Sequence, residues 1–272
     1  MRWGSQSPEV RGWGRLGDPW IWMRISEALV LLAAGTAGGI LSTAVSIASL
    51  VTYPVLLALG VPPLSANMTN TVSLVLTGAG SVASSRPELA GQRQRVLRLG
   101  VITALGGTAG AAVLLLTPAS TFTMVVPVLI GGASLVLLVQ PRIKRLSPAA
   151  DGGNRLVQGT ALLATAMYIG YFGAAAGILL LVVLSTMIDE SLVRVNAVKN
   201  AVSGAANGMA AVCFAVFGDL RWVLVAPLAA GFLIGGWIGP KIVRKVPPEP
   251  FRVIVSLCGI GLAVRLGLSA YS

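Results

Sequence analysis

Two short segments of this apolar chain concentrate amide and hydroxyl side chains. Residues 65–73 read SANMTNTVS, and residues 196–203 read NAVKNAVS, where Lys199 adds a positive charge. Amides, hydroxyls and an ammonium group can donate the hydrogen bonds that otherwise hydrate a small anion. The segments therefore predict two walls of one substrate site. Its candidate substrate-binding residues are Asn67, Thr69, Asn70, Thr71, Asn196, Lys199, Asn200 and Ser203.

Each segment also has a purely structural interpretation. Small polar residues pack and hydrogen-bond between membrane helices, which accounts easily for single serines in SANMTNTVS. Lys199 could extend its amine to the membrane surface. On a helix, however, Lys199 shares one face with Asn196 and Ser203, at positions i−3 and i+4. No acidic residue lies at membrane depth to pair with Lys199, and this absence favours a path for anions.

The residues needed for acid–base or metal chemistry are missing or lie in the wrong places. The chain has no histidine and two cysteines, which have no metal-ligand spacing. The acidic residues all lie near the termini or in connections, which disfavours a proton relay or a cation site at membrane depth. We predict no enzyme activity, cofactor or metal. The acidic residues are Glu9, Asp18, Glu27, Glu88, Asp151, Asp189, Glu190, Asp219 and Glu249.

The composition predicts an all-α polytopic membrane protein. Hydrophobic residues make up 55% of the 272 residues and charged residues only 11%. Several uncharged runs exceed the roughly 20 residues that span a bilayer. The net charge of +11 is concentrated in short connections, which is typical of membrane topology rather than nucleic-acid binding. The expected partners are therefore a lipid bilayer and a small anionic substrate, with no prediction of oligomeric state.

Charged connections set the predicted topology. Residues 85–98, 140–155 and 240–252 are basic and are predicted to be cytoplasmic, whereas 60–64 and 117–120 are neutral. The neutral connections, together with 218–221, fit the outer side of the membrane. This topology gives about 8–10 membrane segments and leaves the side of the N-terminus open.

Two long runs, residues 28–60 and 156–188, suggest broken or re-entrant helix pairs. Each is too long for one crossing and short for two, so each could cross twice or re-enter. AGTAGGILSTAV (34–45) also resembles FGAAAGILLLVV (172–183), and ANMTNTVS (66–73) aligns without gaps to NAVKNAVS. The echoes and the topology together predict two inverted repeats, a common transporter plan. The glycines expected to permit the breaks are Gly35, Gly38, Gly39, Gly170, Gly173 and Gly177.

Four segments follow from this prediction. Residues 1–26 form an N-terminal arm, 27–141 the first repeat, 142–155 a basic cytoplasmic linker, and 156–272 the second, inverted repeat. Gly pairs at four-residue spacing, such as Gly106 and Gly110, are expected only to bring helices close together.

The segment GTAGGILSTAVSIASLVTYPVLLALGVPPLSANMTNTVSLVLTGAGSV resembles the first motif of the TauE/SafE sulfite exporter family, and LVRVNAVKNAVSGAANGMAAV resembles its second copy. The resemblance implies a bacterial or archaeal inner-membrane permease for sulfite, sulfonates or related organic anions. It maps the family's polar motif onto the two segments at 67–71 and 196–200. LSTAV after the first glycine cluster departs from the family's longer glycine run. A channel or uniporter for another small solute, and a non-transporting membrane scaffold, are the alternatives.

Overall fold

The computed structural model describes residues 25–146, 154–243 and 249–271, all of them in helices or short connections. The predicted N-terminal arm therefore lies outside the described residues up to position 24, and so does the linker from 147 to 153. The helices are α1 (Ile25–Val45), α2 (Ala48–Ala58), α3 (Pro63–Ser84), α4 (Arg86–Leu89), α5 (Arg93–Leu116), α6 (Ala119–Leu146), α7 (Arg155–Tyr171), α8 (Ala176–Met187), α9 (Leu192–Phe217), α10 (Trp222–Val243) and α11 (Glu249–Tyr271).

Among the described residues, six helices are long and apolar enough to cross a membrane: α1, α5, α6, α9, α10 and α11. The apolar helices α2 and α8 are too short to cross alone, having 11 and 12 residues. Large apolar side chains such as Leu105, Val128 and Ile254 are exposed on the outer surface of the helix bundle. Exposed apolar surface of this kind suits contact with lipid chains. The prediction of a polytopic all-α membrane protein is confirmed.

Both long runs contain a broken helix, but the first break is not at the predicted glycines. α1 continues through its glycine cluster and ends before Ser46, which has a left-handed backbone with a φ of 62°. The second break lies between α7 and α8, where Gly173 has a φ of 72° and Ala175 a φ of 56°. A left-handed residue ends a helix because its carbonyl turns away from the helical path. Of the predicted hinge glycines, only Gly173 adopts this conformation.

The other glycines of that set serve close packing. A Cβ atom on Gly35 would lie 2.3 Å from the carbonyl oxygen of Leu228 in α10. A Cβ on Gly170 would lie 2.1 Å from the carbonyl oxygen of Gly107 in α5. Contacts this short require a hydrogen atom in place of a side chain, as at other close helix crossings in membranes. Glycine content alone could not separate these crossings from a break.

The position of the first break shows that one of the two sequence similarities between the halves does not join equivalent positions. Residues 34–45 lie within α1 before its break, whereas 172–183 contain the second break and continue into α8. These stretches are therefore not equivalent in the fold. The other sequence similarity joins equivalent positions. Residues 66–73 lie near the start of α3, which follows the short α2, and residues 196–203 lie near the start of α9, which follows the short α8.

The helices of the two halves interleave. α1 packs on α10 and α7 on α5, while α3 packs on α10 and α9 on α5. At the centre α3 meets α9, and at the periphery α6 meets α11. The same set of pairs results when each helix of the first half is exchanged with its counterpart in the second half. The counterparts are α1 and α7, α3 and α9, α5 and α10, and α6 and α11. The packing is thus that of two corresponding halves, and their opposite orientation in the bilayer stays a prediction.

Candidate functional site

A small polar cavity lies where the two broken helices meet α3 and α9. Its volume is about 40 Å³, enough for about three water molecules at 10–15 Å³ each. Hydroxyl, amide and amine groups line the cavity together with several apolar side chains. Its lining includes Ser42, Ser46, Ser49, Thr71, Leu74, Ile169, Phe172, Gly173, Gly177, Lys199, Ser203 and Asn207.

Lys199 supplies the charge of this cavity. The Lys199 side chain is only 3% exposed and, among the residues that the structure describes, is the only buried charged one. Its Nζ donates a hydrogen bond of 2.7 Å to Ser46 Oγ, at the break between α1 and α2. The side chain therefore points into the centre of the fold and does not extend to the membrane surface. The interpretation that Lys199 extends to the membrane surface is therefore wrong, and its role on an anion path stays a prediction.

The two helix breaks touch one another beside this lysine. A Cβ atom on Gly177, in the first turn of α8, would lie 2.4 Å from Ser46 Oγ and 3.8 Å from Lys199 Nζ. Two half-helices, α2 and α8, thus begin next to the cavity. Helix starts carry free N–H groups and the positive end of the helix dipole, both of which favour a negative ligand.

Asparagines of α3 and α9 hold the broken helices of the opposite half. Asn67 Nδ2 donates a hydrogen bond of 2.9 Å to the carbonyl of Tyr171, the last residue of α7. Asn196 Nδ2 lies 3.4 Å from the carbonyl oxygen of Thr43, in the last turn of α1. The final carbonyls of a helix have no partner within it, so these amides satisfy groups that a break would leave bare.

Two further amides fix helix α3. Asn70 Oδ1 accepts a hydrogen bond from Thr52, and its Nδ2 donates to Ser49 Oγ at 3.1 Å. Asn200 Nδ2 donates to Ser81 Oγ at 2.9 Å and so joins α9 to α3. These contacts hold α2 and α9 against α3.

The predicted site residues thus fall into two groups. Thr71, Lys199 and Ser203 line the cavity, whereas the four asparagines lie around it and position the helices that form it. Direct contact between those asparagines and a substrate stays a prediction. The asparagines are Asn67, Asn70, Asn196 and Asn200.

Thr69 belongs to neither group. Its side chain is fully buried, and its Oγ1 has no hydrogen-bond partner among the described residues. In the alignment of the two polar segments, Thr69 is the counterpart of Lys199. A buried hydroxyl without a partner lowers stability, because the group has lost its hydration without replacement.

We expect Thr69→Val to leave the stability of the protein unchanged or to raise it slightly, since valine has nearly the same shape and no polar atom. Thermal unfolding in detergent would measure this effect. Thr103→Val is the matched control, because Thr103 is equally buried but donates to the Val202 carbonyl at 2.8 Å. The control is expected to lose about 1 kcal/mol. Equal losses in the two variants would contradict the assignment of Thr69.

Four polar lining residues were not among the predicted site residues. Ser42, Ser46 and Ser49 occur in the stretch LSTAVSIAS, and Asn207 follows Ser203 by one helical turn. The serine spacing of i, i+4 and i+7 would have placed three hydroxyls on one helix face. Asn207 Nδ2 donates to the Ser203 carbonyl at 3.0 Å, so its amide is held beside the cavity.

Comparison with known proteins agrees with this architecture. The chain is 22% identical over 240 residues to the probable membrane transporter protein ORF9 of a Sinorhizobium species, with 88% of this chain and 91% of that protein covered. It is 21% identical over 246 residues to the probable membrane transporter protein YfcA of Escherichia coli strain K12, with 87% and 88% covered. No solved structure matches the chain. The model of the family described as Sulfite exporter TauE/SafE matches residues 31–266, and the protein therefore belongs to this family of membrane transporters.

Proposed function

We propose that this protein is a permease for a compact oxyanion such as sulfite, bound in the cavity beside Lys199. The observation that carries the proposal is the lysine itself, the only buried charged side chain in the described part of the chain. A buried positive charge attracts an anion and repels a cation. The description of the family as a sulfite exporter supports the same class of substrate.

The groups around Lys199 suit an oxyanion. Ser46, Ser49 and Thr71 contribute hydroxyl groups, and Asn207 contributes an amide. An anion that leaves water needs donors to replace its hydration, and hydrogen bonds between charged partners are about twice as strong as neutral ones. Donors from the break after α1 and from α2, α3 and α9 would therefore surround the ligand from several sides.

The size of the cavity favours a small substrate. Its volume of about 40 Å³ suits an anion of a few heavy atoms better than a longer organosulfonate. The large apolar side chains of Phe172 and Leu74 are also part of its lining. We therefore rank sulfite ahead of sulfoacetate or taurine as a substrate.

The test is flux of radiolabelled sulfite into liposomes that contain the purified protein. We expect saturable uptake that unlabelled sulfite competes for most strongly, sulfonates less, and neutral solutes not at all. Uptake of neutral solutes without charge preference would indicate a channel or uniporter instead. Absence of any flux, with the protein folded, would favour a membrane scaffold. Thermal stabilisation by a metal cation alone would contradict the anion proposal.

A further inference from the structure

A second cavity lies at the end of the fold that is predicted to face the cytoplasm. It has a volume of about 640 Å³ and shares no lining residue with the cavity at Lys199. Four arginines and one glutamate line it, and they come from α5, α7, α9 and the connection after α8. These residues are Arg95, Arg98, Arg155, Arg194 and Glu190.

One wall of this arginine cavity is held in place by hydrogen bonds. Arg194 Nη1 lies 2.8 Å from Glu190 Oε2, and its Nη2 donates to the Ala90 carbonyl at 2.8 Å. Arg95 Nη1 lies 3.7 Å from Glu190 Oε1 and donates to Gln92 Oε1 at 2.7 Å. Glu190 therefore balances one positive charge, while backbone and side-chain oxygens orient both guanidinium groups.

The remaining arginines are uncompensated. Within the described part of the chain, the side chains of Arg98 and Arg155 have no hydrogen bond or ion pair. α7 begins at Arg155, and α5 begins at Arg93 beside the lining residues Gln92 and Gln94. The positive ends of two helix dipoles thus add to the positive potential of the cavity.

Membrane topology alone does not explain this convergence. The positive-inside rule requires basic residues in the connections, but it does not require them to surround one cavity. Arg86 and Arg93 satisfy the rule from the same connection, and neither lines the cavity. Four arginines from three separate helices face one space, and this convergence indicates a ligand.

We propose that the arginine cavity is a second anion site, separate from the transport site, and that it binds a phosphate group. Arginine pairs with phosphate through two parallel N–H···O bonds, which makes it the preferred partner of such groups. The volume of about 640 Å³ lies within the usual range of roughly 300–1,000 Å³ for ligand pockets. The phosphate can belong to a soluble anion or to a lipid headgroup, since both carry the same chemistry.

The first experiment measures thermal stabilisation of the full-length protein by pyrophosphate in a neutral detergent. The double variant Arg98→Gln and Arg155→Gln is expected to weaken the apparent affinity at least tenfold. The double variant Arg86→Gln and Arg93→Gln is the matched control, because it removes the same charge from exposed positions outside the cavity. The control is expected to stay within twofold of the wild type. An equal loss in both double variants would overturn the proposal.

Two further experiments distinguish a soluble phosphate ligand from a lipid headgroup, and the arginine cavity from the cavity at Lys199. Nanodiscs with phosphatidylglycerol test the headgroup, and wild-type protein is expected to retain more of this lipid than the Arg98/Arg155 variant does. Stabilisation by pyrophosphate identifies a soluble ligand, and selective lipid retention without it identifies a headgroup. Absence of both in the wild type overturns the proposal. Lys199→Met should bind either ligand normally, and loss of binding there would show that only one site exists.

Discussion

Replacing Lys199 with methionine is expected to lower anion flux into liposomes by at least about tenfold. Hydrogen bonds to charged groups contribute about 1.5–3 kcal/mol, which corresponds to a factor of about ten to more than one hundred in binding. Lys199 is the buried charge of the cavity, and methionine keeps a similar length without it. Initial rates of labelled sulfite uptake at several concentrations would measure the loss.

Stability and a control variant separate transport from folding. The unfolding temperature of the Lys199 variant, measured in the same detergent as that of the wild type, shows whether a loss of flux comes from transport or from a loss of folded protein. Lys241→Met is the control, since Lys241 is exposed and its Nζ lies 4.2 Å above the ring of Trp237. Wild-type flux in the Lys199 variant would refute its role in the site. An equal reduction of flux in the control would attribute the effect to surface charge.

Replacing Gly107 with leucine is expected to prevent stable folding. A Cβ atom at this position would lie 2.3 Å from the carbonyl oxygen of Ala206 in α9, and the Gly107 carbonyl already touches Gly170 of α7. α5 is thus held between two backbones that would both have to move. Overpacking costs about 1–3 kcal/mol in typical cores, and we expect a larger loss where the obstacle is backbone.

Size-exclusion chromatography and thermal unfolding in detergent would measure this loss. Gly132→Leu is the matched control, because Gly132 of α6 is exposed and a Cβ there would meet nothing within 4 Å. This variant should fold normally and gain slightly from the better helix propensity of leucine. A folded Gly107 variant with wild-type stability would show that the helices are not packed as closely as described.

Hydropathy was sufficient to predict the helical membrane fold, since each long helix must hide its own backbone polar groups in lipid. Lys199 could also be selected from sequence as a candidate site residue, because charged side chains are rare within membrane helices. The first break could not be located. Ser46 adopts a left-handed conformation that glycine usually takes, while Gly35 and Gly39 lie in a continuous helix.

The function of the asparagines was also beyond the reach of sequence. Asn67 contacts Tyr171, and Asn196 contacts Thr43, so each amide acts on a residue of the other half of the chain. Such partners are known only once the two halves are packed together. Three of the predicted residues line the polar cavity, but three-dimensional packing decides which residues face it, and the binding of a substrate there stays a prediction.

The interleaved helices have a consequence for how the protein is made. α1 emerges from the ribosome well before α10, yet the glycines of α1 pack against α10. Membrane helices can insert individually before they associate, because lipid satisfies their apolar surfaces. Until α10 has been synthesised, the glycine surface of α1 that will contact α10 is therefore covered by lipid. In a chain that ends after α9, this glycine surface of α1 would stay without its partner helix, and membrane quality control could recognise it.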